Sequence, residues 1–550
     1  MSTSQSPPGF SSRVPEWGPR ASWTVVAALR GQARQRGSDP FVSVDGAEWV
    51  TFADLLERAE WTARGLAGIG VKDRDRVAVM APTCELALDI WLGISLLGAS
   101  EVALNIAYRG HTLEHALNLG ATPIVVIDQQ FLPQLVALWE RLPHLRKVVV
   151  VGSADGITMP GVDVVELAEL STAPVDFPVV DHRHETSVLF TSGTTGPAKG
   201  VMVPHGQAFA VAKQTGAALR LTPEDTMFGF TPLFHSGGKH SLVLTALVSG
   251  TRLVLDSVFD PDHWLDRARA TGATVGMGHG PLLEMIHSTP SRPDDAVNPL
   301  RAVGACPLPA AIAESFERRF GLRGVETWGM TEANVPVWSV IDEPLRAGVA
   351  GRVLTDLYEV VITDFDTDVP VPTGQAGEIT VRSHEPWLMM QGYLNMPEQT
   401  IKAWRNLRFH TGDAGFMDDE GYLHFLDRMG DRIRRHAENI AAYDIEVVAV
   451  DYPGVSEAAA IGVPSDLSGD DDIALYVVSP EGPPETLRLF THLVDHLPHY
   501  MVPRYIAVVS ALPRTPTNKV RKQALRDRTL QDAWDYNSST VSIRELRSRA

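Results

Sequence analysis

Cysteine is scarce: Cys84 and Cys306 are the only two among 550 residues, far apart and outside any CxxC spacing. A disulfide framework and a cysteine zinc site are excluded on that count, and a reducing cytoplasm is the expected home. An excess of positive charge is also missing. The formal net charge is −19, which argues against a nucleic-acid partner, because phosphate affinity rests on clustered Lys and Arg. No long uninterrupted apolar run occurs. The most apolar stretch, residues 86–104, carries Asp89 and Glu101, so it reads as a buried helix running into a strand and not as a membrane span. Residues 1–20 are polar and rich in Pro and Ser, without the apolar segment of a secretory signal. They read as a loose tail.

What remains is an ordinary globular composition, 44% hydrophobic and 21% charged, in a chain long enough for two or more domains. Helical spacing fits residues 51–66 and 84–97. Short apolar runs bounded by turn residues occur at 76–80, 123–127, 147–151, 251–255, 274–277 and 301–303. This alternation predicts an α/β fold with buried, largely parallel strands. From about residue 350 to 427 the pattern turns β-rich, with candidate strands at 358–364 and 377–382. A charged stretch follows, and residues 428–430 read as a hinge. Residues 431–530 read as a small, mobile α+β domain, with helices at 442–450 and 484–496 and strands at 457–463, 473–479 and 505–509. Residues 531–550 read as a helical extension or a tail.

The densest chemistry lies in Thr191-Ser192-Gly193-Thr194-Thr195-Gly196-Pro197-Ala198-Lys199-Gly200, directly after an apolar strand-like run. Its glycines allow close backbone approach, its hydroxyls donate hydrogen bonds and Lys199 adds a cation. Such a loop suits the phosphates of a nucleotide. The spacing G-x-x-x-x-G-K-[ST] is absent, so it is not a Walker loop.

This loop resembles the phosphate-binding element of the adenylate-forming superfamily, which includes acyl-CoA synthetases, luciferases and peptide-synthetase adenylation domains. Four further segments are similar, in the same order. They are Thr327-Trp328-Gly329-Met330-Thr331-Glu332, His410-Thr411-Gly412-Asp413, Asp427-Arg428 with the charged residues after it, and Pro516-Thr517-Asn518-Lys519. The sequence most resembles the carnitine/crotonobetaine-CoA ligase branch, through Arg434-Arg435-His436-Ala437-Glu438-Asn439 and Met501-Val502-Pro503-Arg504-Tyr505.

The resemblance implies roles. Glu332 would hold Mg²⁺, Thr331 would donate to the α-phosphate, and Asp413 with Arg428 would hold the ribose of ATP. Gly304, Ala305 and Cys306 would flank the adenine with Trp328, beside Gly329 and Met330. Lys519 would bridge the attacking carboxylate and the phosphate. Phe234, His235 and Gly278 would belong to the acyl pocket, His235 near the carboxylate. Lys239 would place a cation there for a charged substrate group, unless it faces solvent. The product would be an acyl-adenylate, passed to CoA after the C-terminal domain turns.

Three departures bear on that second step. Gly430 stands at the pivot, Ala437 replaces a glycine that in thioester-forming relatives lies against the pantetheine tunnel, and Asn518 replaces the glycine before Lys519. An acceptor other than CoA, an amine or nitrite with an aryl amine, is therefore carried as an alternative, with a silent nucleotide-binding homologue behind it. A small or aromatic acid is the expected substrate, and a monomer or homodimer the expected state.

Overall fold

The computed structural model describes residues 17–191, 198–310, 312–364, 367–428, 432–435, 438–465, 470–480, 482, 484–513, 520 and 522–547. It is an α/β protein with a large N-terminal part built on two sheets and a smaller C-terminal unit.

The first sheet has eight strands and is parallel from Glu185–Thr191 through Ser100–Ala103, Arg76–Met80, Ile124–Asp128 and Lys147–Val151 to Asp163–Glu166. At its other end Glu185–Thr191 turns back antiparallel into Lys199–Pro204, with Thr191 opposite Lys199. The described residues on either side of the glycine-rich motif thus lie on adjacent antiparallel strands, whereas phosphate loops of the Walker kind run from strand into helix. The second sheet has thirteen strands. Its parallel part includes Val275–Gly278, Ala302–Ala305 and Arg323–Met330. At Arg323–Met330 it turns antiparallel, and the β-rich residues after 350 continue the same sheet, through Phe409–Met417 paired with Tyr422–Arg428.

Helices fill the space between the sheets. Phe52–Gly68 begins at a capping box, where Thr51 Oγ1 accepts from Asp54 N at 3.1 Å and the Asp54 carboxylate accepts from Thr51 N at 3.4 Å. The apolar stretch at 86–104 is the helix Glu85–Leu96 followed by the strand Ser100–Ala103, and both of its carboxylates are compensated. Asp89 accepts from Arg58 at 2.7 Å, while Glu101 pairs with Lys239. No helix among the described residues is long and apolar enough to cross a membrane.

The C-terminal unit has a four-stranded sheet, Glu457–Pro464, Asp471–Val478, Tyr505–Val509 and Trp534–Asp535, packed on the helices Ala442–Val450 and Thr486–His496. The described residues from 531 to 547 do not trail away. Trp534 adds the fourth strand and packs on Phe490 with a ring separation of 4.8 Å, and Tyr536 stacks on the same ring. At the other end of the chain, Trp17 meets the ring of Phe209 edge-on and Arg20 pairs with Glu385, so the last residues of the expected N-terminal tail are fastened to the core.

Candidate active site

A cavity of about 1320 Å³ opens where the two sheets and the C-terminal unit meet. Thr191, Lys199, Phe234, His235, Gly278, Gly304, Ala305, Cys306, Trp328, Gly329, Met330, Thr331, Glu332 and Asp413 all line it. Thr191 and Asp413, 222 positions apart in sequence, share one chamber. Ser192, Gly193, Thr194, Thr195, Gly196, Gly430, Ala437, Asn518 and Lys519 lie outside the described residues. Arg428 ends its strand directly opposite Asp413.

The nucleotide motifs are held by one another. Glu332 is buried, and its Oε1 accepts from Thr191 Oγ1 at 3.0 Å and from the Tyr393 hydroxyl at 3.1 Å. Oε2 has no hydrogen bond among the described residues, so one hard carboxylate oxygen remains on the cavity side, which fits a Mg²⁺ ligand. Asp413 is fixed by the Trp328 indole, whose Nε1 donates to Oδ2 at 3.0 Å, and by its backbone N–H on Thr411 Oγ1 at 3.1 Å. Gly329 has no room for a side chain, because a Cβ there would lie 2.4 Å from the carbonyl oxygen of Asn334. The turn into Thr331 and Glu332 requires that close approach.

Next to Trp328 on the same face of its strand is Glu326, 5% exposed and lining the cavity. The Leu308 backbone N–H reaches this carboxyl, but Oε2 has no partner. Burial pushes its pKa up to about 8, against that one hydrogen bond.

At the end expected to take the acid, a π-helix, Gly237–Leu244, follows the Phe234–His235 turn. Gly238 permits it to pack there, since a Cβ would come within 2.3 Å of the Thr231 and Pro232 carbonyl oxygens. Lys239 departs from the expected role. It does not line the cavity; it is 1% exposed, paired with Glu101 and set over the Trp91 ring at 4.6 Å. Its charge is paired inside the protein, away from solvent and from the cavity lining. The neighbouring His240 does line the cavity, and burial with the Lys239 charge beside it pulls its pKa down to about 3.

The C-terminal unit closes this end. Glu438, in the hairpin Arg432–Arg435/Glu438–Ala441, accepts from or shares a proton with His235 Nε2 at 3.0 Å. Enclosure disfavours charge on both, yet each favours the other's ionised form, so His235 is raised and Glu438 lowered from their ordinary values. A second contact joins Asn105 Nδ2 to the Tyr500 hydroxyl at 3.1 Å. Sequence reasoning missed Tyr393 and gave Glu438 and Glu326 no role. Only Glu326 carried a usable signal, the two-residue period from Trp328.

The AMP-binding enzyme family matches residues 29–394, and the AMP-binding enzyme C-terminal domain matches residues 444–519. The chain belongs to the AMP-binding enzyme family. This is the adenylate-forming superfamily, and the chain is an enzyme of its AMP-forming, acid–CoA ligase-like kind. It is 30% identical over 528 residues to a 3-[(3aS,4S,7aS)-7a-methyl-1,5-dioxo-octahydro-1H-inden-4-yl]propanoyl:CoA ligase of Rhodococcus jostii, covering 92% of this chain and 98% of that one. To a crotonobetaine/carnitine–CoA ligase of Salmonella typhimurium it is 27% identical, over 92% and 98% of the two chains. The amide bond synthetase McbA of Marinactinospora thermotolerans superposes with a TM-score of 0.78 at 26% identity, over 92% of this AMP-binding enzyme and 99% of McbA.

Proposed function

We propose that this AMP-binding enzyme activates a small or aromatic carboxylic acid with ATP, forming an acyl-adenylate and pyrophosphate, and transfers the acyl group to CoA. The observation that carries the reading is the single cavity in which the nucleotide motifs and the Phe234–His235 pocket face each other. A carboxylate and a polyphosphate are both anionic, so their approach requires cations and hydrogen-bond donors fixed in advance. Lys199, Thr191 and Thr331 supply these from the N-terminal part, and Asp413 orients the ribose. Mg²⁺ held at Glu332 would neutralise phosphate charge. Lys519 is assigned the bridge between carboxylate and α-phosphate.

The acid would lie between Phe234, Met330, Val335 and Gly278, short of the buried Lys239–Glu101 pair, a depth suited to a ring or a short chain. His235 would sit beside the acyl carbonyl. Its contact with Glu438 brings the C-terminal hairpin onto the reacting end of the pocket, which supports a second step managed by that unit. Likeness to an amide bond synthetase supports a second reading, in which an amine or another nucleophile takes the place of CoA.

The test is release of pyrophosphate and AMP over a panel of acids, with and without CoA, repeated with amines and with nitrite plus aryl amines. CoA-dependent turnover with a thioester product is expected; turnover indifferent to CoA would overturn the acceptor assignment. Lys519→Ala should abolish AMP formation, and unchanged formation would remove Lys519 from the mechanism.

A further inference from the structure

Part of the cavity lining comes from the helix Pro397–Ala403, to which no role has been given. Gln399 and Lys402, three residues apart on one face of that helix, both line the cavity. The helix is tied to the strand Lys199–Pro204 through the two-residue strand Gly392–Tyr393, which pairs with Val201 and Met202. Tyr393 N donates to Thr400 Oγ1 at 2.9 Å, and the Lys199 ammonium lies 4.8 Å from the centre of the Tyr393 ring. One tyrosine therefore seats Lys199 on one side and anchors the helix bearing Lys402 on the other.

The charges at this end do not balance. Arg405 also lines the cavity, but Asp368 and Glu378 accept from it at 2.9 and 3.1 Å. Asp413 is engaged by Trp328, and Glu332 by Thr191 and Tyr393. Among the described residues neither Lys199 nor Lys402 forms an ion pair. Lys199 is pulled below the usual lysine range by burial, partly offset by Glu332, with the like charge of Lys402 adding to the depression. Two ammonium groups that face one chamber with neither in an ion pair repel each other, only partly offset at Lys199 by Glu332, and an anion between them relieves both.

Resting on the function proposed above, we propose that Lys402 is a second polyphosphate-binding cation, facing Lys199 and holding the β and γ phosphates of ATP and the departing pyrophosphate. In that step a carboxylate oxygen bonds to the α-phosphorus, the bond from the α-phosphorus to the α–β bridging oxygen breaks, and that oxygen leaves with pyrophosphate. Negative charge moves away from the ribose and toward the gap between the two lysines. Lys402 thus acts on the tail of the nucleotide and not on AMP.

Calorimetric titration of inorganic pyrophosphate with Mg²⁺, and separately of AMP, onto the full chain and its Lys402→Ala and Lys402→Arg variants tests this. Lys402→Ala should weaken pyrophosphate about tenfold and raise KM for ATP by a similar factor, the size of one charge-assisted contact. AMP affinity should change less than twofold, and Lys402→Arg should stay near the parent. Because Lys402 is exposed, thermal unfolding should be unaltered. Unchanged pyrophosphate affinity in Lys402→Ala, or equal weakening of pyrophosphate and AMP, would overturn the assignment. A parent protein that releases AMP normally separates such a result from failure of the proposed function, which would show as no acid-dependent AMP from the parent itself.

Discussion

The two ends of the cavity are built in different ways. At the nucleotide end Thr191, Trp328, Glu332, Tyr393 and Asp413 all come from the N-terminal part and are joined by side-chain hydrogen bonds of 3.0–3.1 Å. At the acyl end the decisive contact, His235 to Glu438, crosses to the C-terminal unit. The first end is preorganised within one part; the second is complete only when another part docks. That division suits chemistry in which one step needs fixed charge and the next needs the site to change its lining. It also says where substitutions should act.

The largest effect is expected from Glu332→Gln. The amide oxygen keeps the hydrogen bonds from Thr191 and Tyr393 but loses the charge offered to a cation. Acid-dependent exchange of pyrophosphate into ATP should fall about 1000-fold, the scale of removing a principal electrostatic group. A loss of less than tenfold would break the claim that this end is set by fixed charge.

Glu101→Gln comes next, read as stability. It leaves Lys239 buried beside Trp91 without its carboxylate, at a cost of about 3 kcal/mol in urea unfolding. The pair is fully removed from water, so joint replacement by Leu and Met should recover most of the loss. Failure to recover would mean that the pair positions the π-helix by its charge and not only by filling space.

Glu438→Gln should separate the two ends. Acyl transfer is expected to slow about 10–50-fold, the worth of a charge-assisted hydrogen bond, while pyrophosphate exchange stays within about threefold. The sign on His235 follows: Glu438 holds it above its ordinary value, so the variant moves its titration to lower pH. Equal slowing of both steps would show that the acyl end is not separately built.

Much of the fold could be read from residue pattern, because its strands are short apolar runs and its amphipathic helices keep their period. Residues 76–80 and 147–151 are strands with those same bounds, and 442–450 is the helix Ala442–Val450. The helix His205–Ala218 left no such trace. All of its residues are buried, Lys213 included, so no polar face marks it. The site divides along the same line. Nucleotide residues sit in contiguous motifs whose chemistry is local, whereas the His235–Glu438 contact spans 203 positions and has no local signal. The burial of Lys239 away from the cavity has no local signal either, because its partner, Glu101, is 138 positions away on a different element.

Glu326 tests whether the nucleotide end is as fully compensated as its hydrogen bonds suggest. Its carboxyl is raised from 4.5 to about 8, so between these values the folded protein holds a proton that the unfolded chain has lost. Stability linked to Glu326 is therefore fully present below about pH 4.5 and declines as pH rises toward 8. Glutamine is neutral throughout and removes the dependence. Glu326→Gln should match the parent at pH 5 and exceed it by about 1 kcal/mol at pH 8, less than the nominal shift because water can reach the group through the cavity. Thermal unfolding of both proteins from pH 5 to pH 8 gives the comparison directly. A widening gap locates a carboxyl beside Trp328 whose Oε2 only a bound base or solvent can satisfy, while a constant gap would mean that Glu326 keeps one protonation state throughout.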